Sequence, residues 1–469
     1  MDVASLVYFR IAFGAIMLWE VYRYLAYDRI ERYFLEPRFL FTYLGFGWVQ
    51  PWPGDGLYYH FCAMGVLAVF IMAGFLYRIA APLFFLAFGY VFLLDEAQYL
   101  NHFYFVCLVS FVMIFVPANR ACSVDAWLWP ALRSDTVPIW PLWLLRAQMG
   151  FVYFFAGIAK LNGDWLRGYP LRDWLPNAAD KPLIGPFLGE AWTAVGMSYG
   201  GLLLDLFIWP ALAWRRTRAF AFAGALFFHL MNAWIFNIGI FPWFSLAATA
   251  LFFDPDWPRR LLRRPPIDVP GPPRDFQLGT RERWVAAAFA SYVAVQALLP
   301  LRPFVYPGNV AWTEEGHRFS WRQKLRDKDG VARFLLTDPS SGRTWEVDPR
   351  RILTAEQYSK MSDRPYMSLQ FAHHLADLAS EPGRPRVEVR VLGLASLNGR
   401  QPQPLVDPKV NLAAQPRTFF APYDWIVPLQ VPLEAQWDRK PGVSDPGALA
   451  AIERAREGIR RELQDRDDD

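Results

Sequence analysis

The sequence predicts a helical integral-membrane domain of about nine spans, followed by a small α+β extramembrane domain with a β-sandwich-like or open sheet at its core. Three observations carry that expectation. Apolar residues make up 54% of the 469-residue chain, against ~45–50% in ordinary soluble domains, and nearly all the excess falls in the first three hundred positions. Basic residues cluster just outside the apolar runs, as at membrane surfaces. After Pro303 the long runs stop and short period-two alternations begin.

The first run, near 4–26, lacks a basic start and continues past Glu20 into YRYLAYDR without a small-residue cleavage site. It reads as a membrane helix that stays rather than a signal peptide. Further runs fall near 57–76, 79–95, 98–117, 139–160, 192–213, 218–237, 238–253 and 284–301. A span needs ~20 apolar residues, fewer where it is partly buried in protein, so the short run 238–253 is the weakest. Segment 30–56, with Pro37, Pro51 and Pro53 among aromatics, reads as an irregular connection, as does 164–190. A cytoplasmic N-terminus collects Arg78, Arg120, Arg133, WRRTR at 214–218 and WPRRLLRRPP at 257–266 on the inside. Nine spans then put the C-terminal domain outside the cytoplasm, beside the end of the 139–160 helix.

The expected domains are 1–302, 303–435 and 436–469. In the second, VARFLLTDPSSGRTWEVDP holds two strand-like runs around an SSG turn, and VEVRVLGLASLNG alternates like a strand. Between them AEQYSKMSDRPYMSLQFAHHLADLA reads as helix. The last segment is a charged helix fraying into an acidic tail.

Several function classes drop out. A net charge of +4 names no nucleic-acid partner. The cysteines, Cys62, Cys107 and Cys122, form no CxxC or Cys/His metal spacing. HxxxH and HExxH are absent, so no metal is expected, and there is no GxGxxG, P-loop or GxSxG.

What remains is a handful of polar groups in apolar surroundings. Lys160 closes AQMGFVYFFAGIAK and leads into Leu161, Asn162, Gly163, Asp164 and Trp165, a polar-aromatic turn able to fold back over it. At a helix edge such a lysine can simply snorkel. Held in an apolar pocket, a primary amine has its charged form disfavoured and can act as a base. Asn101 and His102 open one run and Asn119 follows its end. His229 and Asn232 lie three apart on one helical face, and Asp205 interrupts GGLLLDLF. Each can be a plain inter-helix hydrogen bond, worth ~0.6 kcal/mol on average. Together with the aromatic content they suit a cavity for a lipid-soluble ring compound better than one for a nucleotide.

FVYFFAGIAKLNGDWLRGYPL at 151–171, VPANRACSVDAWL at 116–128, FFHLMNAWIFNIGIFPW at 227–243 and FFDPDWPRRL at 252–261 follow one another in an order that resembles the vitamin K-dependent gamma-glutamyl carboxylases. The likeness continues in GHRFSWRQKLRDKDG at 316–330 and VDPKVNLAAQPRTFFAPYDWIVPL at 406–429. A looser family of membrane proteins shares only the membrane half. The resemblance implies a carbon–carbon lyase that oxygenates vitamin K hydroquinone (phylloquinol or menaquinol) with O2 to its 2,3-epoxide. The proton taken from the gamma carbon of a peptide glutamate is replaced by CO2, and no metal takes part. It further implies Lys160 as the base that deprotonates the hydroquinone and His229 close to the reacting centre. Asn119 would bond the quinol oxygen, with Asn101, His102, Asn232 and Trp165 as further cofactor-binding positions. The extramembrane domain would present a glutamate-containing peptide or protein, and Arg318, Trp321, Arg322 and Lys324 are candidates for binding it. Arg120 stands where the animal enzymes carry histidine, and the Ala-, Arg- and Pro-rich composition suits a bacterial inner-membrane homologue.

Two other readings stand beside this one. A quinol epoxidase would keep the oxygenation without the peptide. A non-catalytic protein binding membrane lipid or a partner would not need Lys160.

Overall fold

A computed structural model of the protein describes residues 1–236, 238–269 and 279–433. Its first half is helical: α1 Ala4–Ala26, α2 Gly56–Ala73, α3 Tyr77–Leu94, α4 Asn101–Phe115, α5 Trp140–Lys160, α6 Ala191–Ala213, α7 Arg218–Phe236 and α8 Phe241–Thr249, with α9 Thr280–Leu298 leading to the second half. Seven helices among the described residues are long and apolar enough to cross a membrane. The other two, α4 and α8, are apolar but shorter, and they fall on the expected runs 98–117 and 238–253. Local chemistry shortens both. Val116 is extended because Pro117 disfavours helix in the residue before it, and α8 starts late, with Pro242 in its first turn.

Close helix contacts depend on glycine. A Cβ on Gly14 of α1 would lie 2.7 Å from the Ala68 carbonyl oxygen of α2. On α5, Cβ atoms at Gly150 and Gly157 would lie 2.7 Å from Trp209 and 2.8 Å from Leu206 of α6. Small residues at membrane-helix contacts permit this approach, and here it brings the lysine end of α5 against the middle of α6.

The second half is a four-stranded antiparallel sheet, β1 Lys328–Thr337, β2 Thr344–Val347, β3 Glu388–Leu397 and β4 Gln403–Pro404, in the order β2-β1-β3-β4. Among the described residues it is a single open sheet rather than a sandwich. β1 and β2 form the expected hairpin across the SSG turn, pairing Thr337 with Thr344. The helical stretch between β2 and β3 is two helices, α10 Ala355–Ser362 and α11 Pro365–Ala379. Pro365 opens the second and holds Arg364 extended. β3 departs from the half-exposed strand its alternation suggests: all but its first residue are buried. The charged helix expected over 436–469 lies outside the described residues.

The two halves share side chains. Phe41 and Ala97, from connections in the helical half, belong to the core of the sheet domain, packed with Phe334, Phe371 and Leu397. In return Trp321, fully buried, joins the helical core, its ring 5.0 Å from that of Tyr104. Asp95 fastens the seam, accepting bonds from Phe41 N at 3.2 Å and Gln357 Nε2 at 3.2 Å. Segment 30–56 opens on a π-helical turn, Glu31–Leu35, and is irregular as expected only after it; from Phe39 to Thr42 it lines this seam.

Candidate functional site

The close approach of α5 and α6 sets Lys160 Nζ 2.5 Å from Asp205 Oδ2, and both side chains are buried. The Lys160 ammonium also sits 5.2 Å from the Trp165 ring centre. Trp165 is held there by two bonds. Its N–H is taken by Asn162 Oδ1, capping the short helical turn Gly163–Leu166, and its indole N–H donates to Ser198 O at 2.8 Å. The turn after Lys160 therefore folds back over it.

Two turns earlier on α5, Tyr153 shares the Lys160 face. Its hydroxyl lies 2.8 Å from His229 Nε2 on α7 and 3.2 Å from Thr249 Oγ1 on α8. Lys160, Asp205, Tyr153, His229, Asn232 and Trp165 all line one cavity of about 520 Å³. Its walls are otherwise mostly apolar and aromatic, and the space matches the ~300–1,000 Å³ usual for small-molecule sites. Gln323 and Lys324 of the second half also line it. The Lys324 ammonium stands 5.1 Å from the Trp174 ring centre and 5.8 Å from that of Phe236.

Not every expected site residue is present here. Asn232 lines the cavity but spends one amide N–H on Phe228 O at 2.8 Å. His102 stands one ring behind the wall: Phe241 packs at 6.0 Å from it and 5.9 Å from His229. Asn101 lies outside the lining, bonding Tyr99 Oη and Arg322 O.

Asn119 does not stand beside Lys160 as expected but lies outside the cavity lining. It follows the far end of α4, and α5 then runs 21 residues back to Lys160, roughly 30 Å at 1.5 Å per residue. There Asn119 Nδ2 donates to Asp125 Oδ2 at 2.7 Å, and the same carboxylate accepts from the Leu76 and Tyr77 amides. Fully buried Arg10 closes this knot by bonding Ala118 O and Cys122 O.

Of the four peptide-binding candidates only Lys324 reaches the cavity. Arg318 is ion-paired with Glu96, Trp321 is an anchor in the helical core, and Arg322 is half-buried. Sequence reading also underrated two residues. Asp205 was legible as a lone carboxylate in an apolar run, yet nothing in the sequence marked its distance to Lys160. Tyr153 had no signal among so many aromatics.

The fold and this cavity define the class: a multi-span integral membrane protein with a buried polar constellation and an extramembrane domain that contributes to the cavity lining. Residues 1–257 match the HTTM domain, which is more than half of the 469-residue chain, so the protein belongs to that family. Residues 281–431 match the vitamin K-dependent gamma-carboxylase lumenal domain, and the two together make the chain a gamma-carboxylase-like homologue. No solved structure matches the chain.

Proposed function

We propose that the protein is a membrane-embedded γ-glutamyl carboxylase that uses a vitamin K-type hydroquinone. One hydroquinone, O2, CO2 and a peptide glutamate give the 2,3-epoxide, water and γ-carboxyglutamate. The observation that carries this reading is the single cavity whose lining holds both the Lys160–Asp205 pair and Lys324 of the lumenal-type domain. Its aromatic walls and size fit a naphthoquinol ring.

A buried amine and carboxyl group 2.5 Å apart can share one proton in either direction, as ammonium with carboxylate or as amine with acid. In the second form Lys160 accepts the hydroquinone O–H proton; the resulting ammonium keeps its hydrogen bond to the Asp205 acid and is balanced in charge by the quinol anion. His229 and Tyr153 orient the ring oxygens and can hold or pass a proton through their 2.8 Å contact. The bound quinol supplies, on oxygenation, the strong base that no side chain can furnish for a C–H bond. Lys324 holds the γ-carboxylate of the substrate, offsetting the charge that builds on the neighbouring carbon.

The test uses purified protein with reduced vitamin K, bicarbonate carrying labelled carbon, and a short Glu-rich peptide. Label fixed in the peptide alongside epoxide is expected. Epoxide without label would favour the quinol epoxidase, and neither product would leave a lipid- or partner-binding protein. The reading also puts the N-terminus in the cytoplasm and the sheet domain outside. With Cys62, Cys107 and Cys122 removed, a cysteine at exposed Ser340 should react with an impermeant thiol reagent in intact cells; reaction only after lysis would overturn that orientation.

A further inference from the structure

The turn that follows Lys160 is gripped from outside the helical half. Asp164, within that turn, accepts from Arg400 Nη1 and Nη2 at 2.7 Å each and from Asn398 Nδ2 at 2.7 Å. Arg400 is buried and also donates to Leu397 O and Val431 O. Both gripping residues belong to the tight β3–β4 turn, where Asn398 and Gly399 take positive φ of 52° and 78°. Asparagine and glycine accept that conformation readily.

The same asparagine holds a second segment. Asn398 Oδ1 accepts from Asp327 N at 2.8 Å and Asn398 N donates to Asp327 O at 2.8 Å. Asp327 lies three residues after Lys324, in a stretch where Phe319, Trp321 and Lys324 all have positive φ, a conformation that persists only when surroundings enforce it. One β-turn therefore fastens both the chain leaving Lys160 and the chain leaving Lys324. Burial alone would raise the Asp164 carboxyl, but the Arg400 and Asn398 bonds outweigh it and hold it below the usual aspartate value.

Resting on the function proposed above, we infer that Arg400 and Asn398 are positioning residues that fix the spacing between the quinol-activating lysine and the peptide-anchoring lysine, so that the clasp sets how much carboxylation accompanies each epoxide formed. Lys160 keeps its own contact with Asp205 when the clasp is opened, so oxygenation persists. The glutamate is then presented out of register with the site where its proton is removed.

The experiment compares full-length wild type, Arg400→Gln and Arg400→Lys in two measurements. In the first, labelled product per epoxide should fall about 10- to 100-fold in Arg400→Gln, the cost of about an ångström of misplacement, while epoxide formation changes far less. Arg400→Lys should fall between, because an ammonium keeps the charge and loses the bidentate fork. In the second, hydrogen exchange of residues 161–167 should quicken in Arg400→Gln with β1 and β3 still protected. An unchanged product ratio in a folded Arg400→Gln, or a parallel fall of both products, overturns the inference. If wild type itself fixes no label, the proposed function fails instead, and unaltered exchange at 161–167 then overturns the clasp by itself.

Discussion

Two polar knots sit at opposite ends of the helical half, and they are built alike. Around Asn119, an amide, the Asp125 carboxylate and buried Arg10 satisfy backbone groups of two connections, α2 to α3 and α4 to α5. Around Lys160, an amine, a carboxylate, an imidazole and a phenol satisfy one another. Both are rare chemistry in apolar runs, and both are built of buried, bonded polar side chains. The difference is empty space: the second faces a cavity of about 520 Å³, and the first faces protein. Rarity of a polar residue in a membrane run therefore marks it as important, while adjacency to a cavity marks it as available for chemistry.

The largest effect that could break this comparison is at Lys160. Lys160→Ala should abolish both products while the protein still folds and binds quinone, and small amines should restore part of the activity, more so as pH rises. Lys160→Arg should also fail, since guanidinium stays charged; full activity in that variant would reduce Lys160 to a positive charge. His229→Ala and Asp205→Asn should each slow epoxide formation about 10²-fold, and an unaltered rate would return either residue to a structural role. On the other side, Asn119→Ala should lower stability by about 1–3 kcal/mol, the cost of an unsatisfied buried partner, with turnover per folded molecule unchanged. A specific loss of turnover there would erase the distinction between the knots.

The smallest effect concerns the seam. Burial pushes the Asp95 carboxyl up to about 7, against hydrogen bonds from Ala97, Gln357 and Phe41 that lower it. Because the folded value exceeds the unfolded one, its contribution to stability is present at low pH and lost as pH rises through about 7. A protonated-carboxyl infrared band that titrates near neutrality and vanishes in Asp95→Ala would verify this; a band lost by pH 5 would contradict it.

Much of this was legible in sequence because membrane helices and hairpins are written in local patterns. All nine apolar runs correspond to helices, and the SSG turn and alternating strand are where they were read. Errors came from proline: Pro117 and Pro242 trimmed two helices, and Pro365 split a third. That Lys160 and His229 share one cavity agrees with the attention that motif and rarity draw to them. The Lys160–Asp205 contact was not, since it depends on Gly157 letting two helices approach 45 residues apart in sequence. Asn119 was misplaced because its motif names a residue without saying which end of a helix pair it occupies.

The exchange of anchors across the seam bears on how this molecule can be dissected. A fragment holding only the sheet domain would lack Phe41, which is wholly buried among its core residues, and would leave a phenylalanine-sized void of the kind that costs about 3–5 kcal/mol. The helical half alone would lose Trp321 in the same way. Neither piece is a module to be borrowed, so a soluble catalytic or peptide-binding fragment would have to be redesigned at these two positions before it could stand alone.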